Sequence, residues 1–141
     1  MKAKIFKSVL TLTVLLAAMV SFSACSGDDP IVKDVRDDYV GSYRTNYEFT
    51  YNGQKYTGTY TLTIMKSATN VNDIILNNID DSNESARATV SGNAMTIPQQ
   101  TIQDMGISGS GTLSGNVLNF STMETETGGI PVNITQVATK Q

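Results

Sequence analysis

The sequence predicts an all-β domain, a small antiparallel up-and-down barrel of about eight strands. Polar and apolar residues alternate with period two along most of the chain after residue 38, as is typical of strands with one buried face. Short clusters of Gly, Asn, Asp and Ser separate these segments, and none of the segments has helical periodicity. Because a meander has two exposed edges unless it closes, we expect a barrel, and a β-sandwich is the alternative.

The first two predicted strands form a hairpin. Residues 43–51 carry an aromatic residue or Thr at every odd position, and residues 56–64 repeat the alternation with Thr on the polar face. Asn52-Gly53 between them supplies the positive φ angles of a tight turn. The tyrosine-bearing faces of the two strands then coincide. Five tyrosines are expected to share this face: Tyr43, Tyr47, Tyr51, Tyr56 and Tyr60.

Six further strands follow, each short and bounded by turn-forming residues. They are predicted at residues 73–79, 86–91, 94–99, 107–113, 117–123 and 130–137. Two of the turns are near copies, Ser91-Gly92-Asn93 and Ser114-Gly115-Asn116, which predicts the same hairpin corner twice. We expect four methionines to fill gaps in the barrel interior, namely Met65, Met95, Met105 and Met123.

Residues 1–24 have the three-part layout of a secretory signal: three lysines, an apolar run over residues 9–20, and small residues. The apolar run is shorter than the ~20 residues that a membrane-spanning helix needs. Its end, Ser-Phe-Ser-Ala-Cys, resembles the lipobox of bacterial lipoproteins, with Phe22 at the usual position of leucine. The resemblance implies that Cys25, the only cysteine, is lipidated and begins the mature chain. An ordinary signal cleaved after Ala24 is the alternative.

Residues 25–38 are polar and acidic and predict a flexible tether. The run Ser26-Gly27-Asp28-Asp29 resembles the acidic export signal that sends lipoproteins of Bacteroidota to the outer face of the outer membrane. A plain linker has the same composition, so both interpretations stand. Ser26 rather than Asp follows the cysteine, which favours the outer over the inner membrane. We therefore expect a lipid-anchored outer-membrane protein, exposed at the cell surface if the export signal operates.

The charge of the mature chain bears on its partners. From Cys25 onward there are seven basic and thirteen acidic residues, a formal charge of −6. Binding to phosphate backbones depends on clustered Lys and Arg, so we expect no nucleic-acid partner. The expected membrane contact is the N-terminal lipid anchor alone, because two or more acyl chains suffice for stable anchoring.

Residues 39–141, with the lipobox and the repeated Ser-Gly-Asn corners, resemble the calycin-like or lipocalin-like lipoproteins of Bacteroidota. Val40-Gly41 is a loose counterpart of the Gly-x-Trp opening of lipocalins, since the chain has no tryptophan. The resemblance implies a small β-barrel domain over residues 39–141 with room for a ligand inside.

Few residues indicate catalysis. The chain has no His, which excludes a Ser-His-Asp triad and removes the most frequent general base and metal ligand. The single cysteine excludes an intrachain disulfide. Glu48, Glu124 and Glu126 are carboxylates of the kind that glycoside hydrolases use, but nothing in the sequence brings two of them together. We predict no catalytic residues, no metal site and no cofactor.

Two loop-like segments are interpreted as structural. Residues 106–111 are rich in glycine but lack the lysine and the following helix of a phosphate-binding loop. We interpret them as a strand where the barrel bends or packs tightly. Residues 80–84, Asp-Asp-Ser-Asn-Glu, offer oxygen ligands without the spacing of a calcium loop, and we interpret them as a solvated hairpin tip.

Three functions remain open. The first is a non-catalytic, membrane-anchored module that binds a small apolar or glycan ligand. The expected ligand-binding residues of such a module are the five tyrosines of the hairpin face, if that face points into the barrel or forms a platform on its surface. They are Tyr43, Tyr47, Tyr51, Tyr56 and Tyr60. The same rings would equally serve to fill the core. The second is a protein-interaction or accessory subunit of an envelope complex with no ligand cavity. The third is a lipoprotein enzyme that uses carboxylates.

Overall fold

The structure is a computed structural model that describes residues 32–126 and 128–141. Each strand pairs with the next and the last pairs with the first, so residues Lys33–Gln141 form a closed eight-stranded antiparallel barrel. The strands are β1 Gly41–Tyr51, β2 Gln54–Lys66, β3 Asp73–Asn77, β4 Ser85–Ser91, β5 Ala94–Ile102, β6 Met105–Ser114, β7 Val117–Glu126 and β8 Val132–Lys140. The predicted up-and-down barrel is confirmed, and a sandwich is excluded. The expected signal peptide, Cys25 and the tether up to residue 31 lie outside the described residues.

The predicted β1–β2 hairpin has the expected turn and register. Asn52 and Gly53 have φ angles of 50° and 77°, the backbone of a tight turn whose twist matches that of the strands. Phe49 pairs with Tyr56 and Tyr47 pairs with Gly58, so the tyrosine faces of the two strands coincide as predicted. The repeated corner is also confirmed, because Gly92 and Gly115 adopt nearly the same φ, 57° and 59°.

Inward-facing and outward-facing side chains alternate along the strands of the barrel. Fully buried aliphatic residues occupy alternate positions, for example Leu62 and Ile64 on β2. Met95 is buried among them. Met65 and Met123, however, are 55% and 41% exposed, so the expectation that they fill the core is wrong. Both are odd-numbered residues on strands whose even-numbered residues face inward, and an odd position therefore faces solvent.

The interpretation of residues 106–111 as a tightly packed strand is confirmed. They lie within β6, and a Cβ atom at Gly109 would overlap the Ser121 carbonyl oxygen of the neighbouring strand. Close approach of the two backbones therefore requires glycine there.

The β4–β5 seam is held in part by a side chain. The β5–β6 register shifts by one residue between Ile97 and Gln100, a β-bulge that includes Pro98. Backbone pairing of β5 with β4 covers only the three residue pairs nearest their turn. Beyond the bulge, Gln100 Oε1 accepts from the Arg87 N–H at 3.0 Å, and Gln100 Nε2 donates to the Arg87 carbonyl at 2.8 Å. The side-chain amide thus replaces a peptide group in the seam.

The two ends of the barrel differ. At the N-terminal end, a 3₁₀ helix, Val35–Asp38, precedes Tyr39, which is fully buried and donates its hydroxyl to the Gly92 carbonyl at 3.2 Å. Lys66 on β2 forms ion pairs with Asp34 and Asp37, which we place in the tether, so the last residues of that segment dock on the barrel. The opposite end, which we call the mouth, carries the β1–β2, β3–β4, β5–β6 and β7–β8 connections.

Candidate functional site

The mouth contains a cavity of about 340 Å³ that is open to solvent at its rim. This volume is at the lower limit of cavities that bind small molecules. Its walls are mostly apolar or aromatic, and its acidic residues lie at the floor and rim. The lining residues are Tyr47, Phe49, Tyr51, Asp80, Met105, Glu124, Glu126, Gly129, Ile130, Val132 and Ile134.

One wall is a ladder of aromatic rings on the β1–β2 hairpin. The rings of Phe49 and Tyr56 stack with centroids 5.0 Å apart, and Tyr47 stacks on Phe49 at 6.3 Å. Tyr47 also contacts Tyr60 in a tilted pair at 6.2 Å. The Tyr47 ring lies over Gly58, where a Cβ atom would overlap it. Gly58 therefore sets the position of this wall.

The five tyrosines of the hairpin face lie at different depths. Tyr43 and Tyr60 are buried within the barrel, and the Tyr43 hydroxyl donates to the Tyr39 carbonyl at 2.7 Å. Tyr47 and Tyr51 line the cavity. Tyr56 lies at the rim and is 42% exposed. The structure therefore places two of the five tyrosines against the cavity, two beneath it and one beside it.

Below the cavity lies a network of buried polar side chains. Gln136 is fully buried and accepts a hydrogen bond from the Tyr60 hydroxyl at 2.5 Å. Its amide donates to Thr122 Oγ1 at 3.1 Å and to Asp80 Oδ1. Burial raises the pKa of Tyr60, which keeps the hydroxyl protonated as a donor. The network ties the cavity floor to three different strands and one loop.

Asp80 reaches the interior because of the β3–β4 connection. Four residues of that connection have positive φ, namely Asn78, Asp80, Asp81 and Asn83. Asn and Asp tolerate this conformation better than other non-glycine residues. Ile79 is 1% exposed and packs into the core, so the connection turns inward instead of extending into solvent. The interpretation of residues 80–84 as a solvated tip is therefore wrong for Asp80.

Asp80 and Glu124 form a pair of interacting carboxyl groups at the floor of the cavity. Asp80 Oδ2 is buried and has no hydrogen-bond partner among the described residues, so a proton on Glu124 supplies the donor that this oxygen lacks. Burial raises the pKa of both groups. Together with the Asp80 carboxylate, burial raises the pKa of Glu124 to about 8. At neutral pH Glu124 therefore holds a proton.

The structure brings two of the three candidate carboxylates of the sequence to one cavity. Glu48 is exposed on the outer surface and pairs with Lys55 at 2.9 Å. Glu124 and Glu126 both line the cavity, Glu126 at the exposed rim. Sequence reasoning missed Asp80 and Gln136. Gln136 carried a signal, because it is a polar residue at an inward position between Ile134 and Ala138.

The closed up-and-down barrel is consistent with a calycin-like fold. Across residues 32–126 and 128–141, no group of three or more acidic, Cys or His side chains is arranged to hold a metal ion. No helix in this part of the chain is long and apolar enough to cross a membrane. No protein-family model and no curated protein sequence matches the chain.

Proposed function

We propose that this protein is an outer-membrane-anchored lipoprotein that binds a small ligand non-catalytically in the mouth of its barrel. The observation that supports this is the mouth cavity, which combines an aromatic wall with polar groups confined to the floor and rim. Such a pocket suits a ligand with one apolar face and few polar groups, either a small apolar molecule or a single sugar packed against Tyr47 and Phe49.

The geometry of the carboxyl pair supports binding over hydrolysis. Glycoside hydrolases separate their two carboxyl groups by about 5 Å or more, to leave room for the sugar and for water. The carboxyl groups of Asp80 and Glu124 interact directly with each other at the cavity floor, and Gln136 holds the Asp80 side chain. We therefore propose that the pair recognises a ligand and does not cleave one.

The proposed binding is tested by filling the cavity. Ile134→Phe adds a ring to the inward face of β8, and Val137→Phe adds the same ring to the outward face, where Val137 is 39% exposed. Native mass spectrometry of the protein purified from its own membranes is expected to show a bound small molecule on the wild type and on Val137→Phe, but not on Ile134→Phe. A ligand retained by Ile134→Phe would contradict binding in the cavity.

The proposed anchor is tested separately. A Cys25→Ser variant is expected to lose incorporation of an alkynyl fatty acid and to leave the membrane fraction, because its serine cannot form the thioether. Equal labelling and equal membrane association of the variant and the wild type would refute lipidation at this residue.

The second candidate function, protein interaction, has one observation in its favour. Three apolar or aromatic side chains near the mouth are strongly exposed, with Ile130 at 72%, Tyr51 at 44% and Tyr56 at 42%. Exposed aromatic residues are enriched in protein interfaces. A partner on the mouth would cover these three residues, whereas a small ligand in the cavity would leave Tyr56 accessible.

A further inference from the structure

The titratable side chains that line the mouth cavity are all acidic or phenolic. Asp80 and Glu124 lie at the floor, Glu126 lies at the rim, and Tyr47 and Tyr51 form part of the wall. Among the described residues that line it, none is a lysine or arginine. A cavity with one sign of charge and low-dielectric walls concentrates ligands of the opposite sign.

The floor also has an acceptor that lacks a permanent donor. Asp80 Oδ2 is buried and has no hydrogen-bond partner among the described residues, and the neighbouring carboxyl group of Glu124 lines the same cavity. Glu124 can donate to it only while it holds a proton, which it does at neutral pH because its pKa is about 8. The proton therefore occupies a place that the N–H groups of a cation could take.

The wall above the floor suits the rest of such a ligand. The stacked rings of Tyr47 and Phe49 present aromatic surface to the cavity, and aromatic faces attract cations as well as hydrocarbon. Met105, Val132 and Ile134 complete an apolar lining on the other strands. The cavity thus offers negative charge at depth and apolar contact above it.

We propose that the mouth cavity selects small organic cations, with a primary ammonium group bound between Asp80 and Glu124 and an aromatic or alkyl body against the β1 wall. The inference rests on the proposed binding function and narrows its ligand class. On binding, the ammonium donates N–H bonds to both carboxylates, and Glu124 releases its proton to solvent. The ammonium group then neutralises one of the two negative charges of the pair.

Three probes of similar size test the proposal: phenethylamine, 2-phenylethanol and phenylacetate. Titrated into the purified full chain near neutral pH, phenethylamine is expected to bind about tenfold more tightly than 2-phenylethanol, with phenylacetate the weakest. Isothermal titration calorimetry in buffers of different ionisation enthalpy is expected to show the release of close to one proton for phenethylamine and none for the alcohol.

Two variants locate the selectivity. Glu124→Gln keeps a hydrogen-bond donor toward Asp80 but removes the second carboxylate, and it is expected to reduce the preference for the amine to about threefold or less. Glu48→Gln removes the same charge from the outer surface, where Glu48 pairs with Lys55, and is expected to bind as the wild type does.

The outcomes separate this inference from the proposed function. Binding of 2-phenylethanol as tight as that of phenethylamine, or amine binding without proton release, would overturn cation selection and leave a ligand-binding cavity. Failure of all three probes to bind at millimolar concentration would overturn both. The number of protons released on phenethylamine binding is measured on the wild type alone. It therefore tests cation selection even if Glu124→Gln does not fold.

Discussion

Replacement of Glu124 by Gln should change how the stability of the barrel depends on pH. The folded state raises the pKa of Glu124 from 4.5 to about 8, so between these values the folded chain holds a proton that the unfolded chain has released. The free energy of unfolding of the wild type should therefore fall as pH rises through this window and level off above it. Glutamine cannot titrate, so the variant lacks this slope.

The magnitude follows from the size of the pKa change. At about 1.36 kcal/mol per pH unit, the upper limit is about 5 kcal/mol. Glu124 is only partly buried, and solvent screening reduces the expected loss to about 2 kcal/mol. Above about pH 8, Glu124→Gln should be more stable than the wild type by this amount, and below about pH 4.5 the two should be equal.

Urea unfolding at several pH values measures the difference, with Glu48→Gln as the control that should follow the wild type. The chain has no His, so few other groups titrate in this window. The titratable side chains around the pair are Tyr47, Tyr51, Tyr60, Asp81, Glu84 and Glu126. Parallel curves for Glu124→Gln and the wild type would refute the proton on Glu124. So would a ¹³C-detected Glu124 carboxyl that titrates near its ordinary pKa.

Three further substitutions test the packing that supports the cavity. Gln136→Leu should lower the free energy of unfolding by about 3 kcal/mol, because it leaves buried polar partners unpaired, whereas Tyr60→Phe should cost only about 1 kcal/mol; equal losses in urea unfolding would argue against the network. Gly58→Ala should push the Tyr47 ring into the mouth and weaken phenethylamine binding about tenfold. Unchanged binding together with unchanged NMR resonances of the Tyr47 ring would contradict the role of Gly58 in positioning the wall. Gln100→Ala should speed amide exchange at the start of β4 and cost about 1 kcal/mol, while unaltered exchange there would show that the side-chain bridge is dispensable.

The sequence predicted the barrel because period-two alternation and turn residues are local signals. The Asn52-Gly53 turn fixed the register of the first hairpin, and that register brought Tyr47 and Tyr56 to one face. The cavity floor was less accessible to prediction. Asp80 enters the barrel only because the β3–β4 connection adopts left-handed backbone angles and buries Ile79, and neither follows from periodicity. The alternation of inward and outward positions did contain one sign of a polar interior, because Gln136 is polar and stands at an inward position of β8 between apolar residues.

The bridge between Gln100 and Arg87 makes part of the β4–β5 seam depend on one side chain, because main-chain pairing of these two strands covers only three residue pairs. Here, rotation about the side-chain torsions of a single glutamine releases both hydrogen bonds, and neither strand needs to change its backbone angles. Because this seam runs toward the mouth, separation of the two strands there costs two side-chain hydrogen bonds and leaves the main-chain pairs near the β4–β5 turn in place.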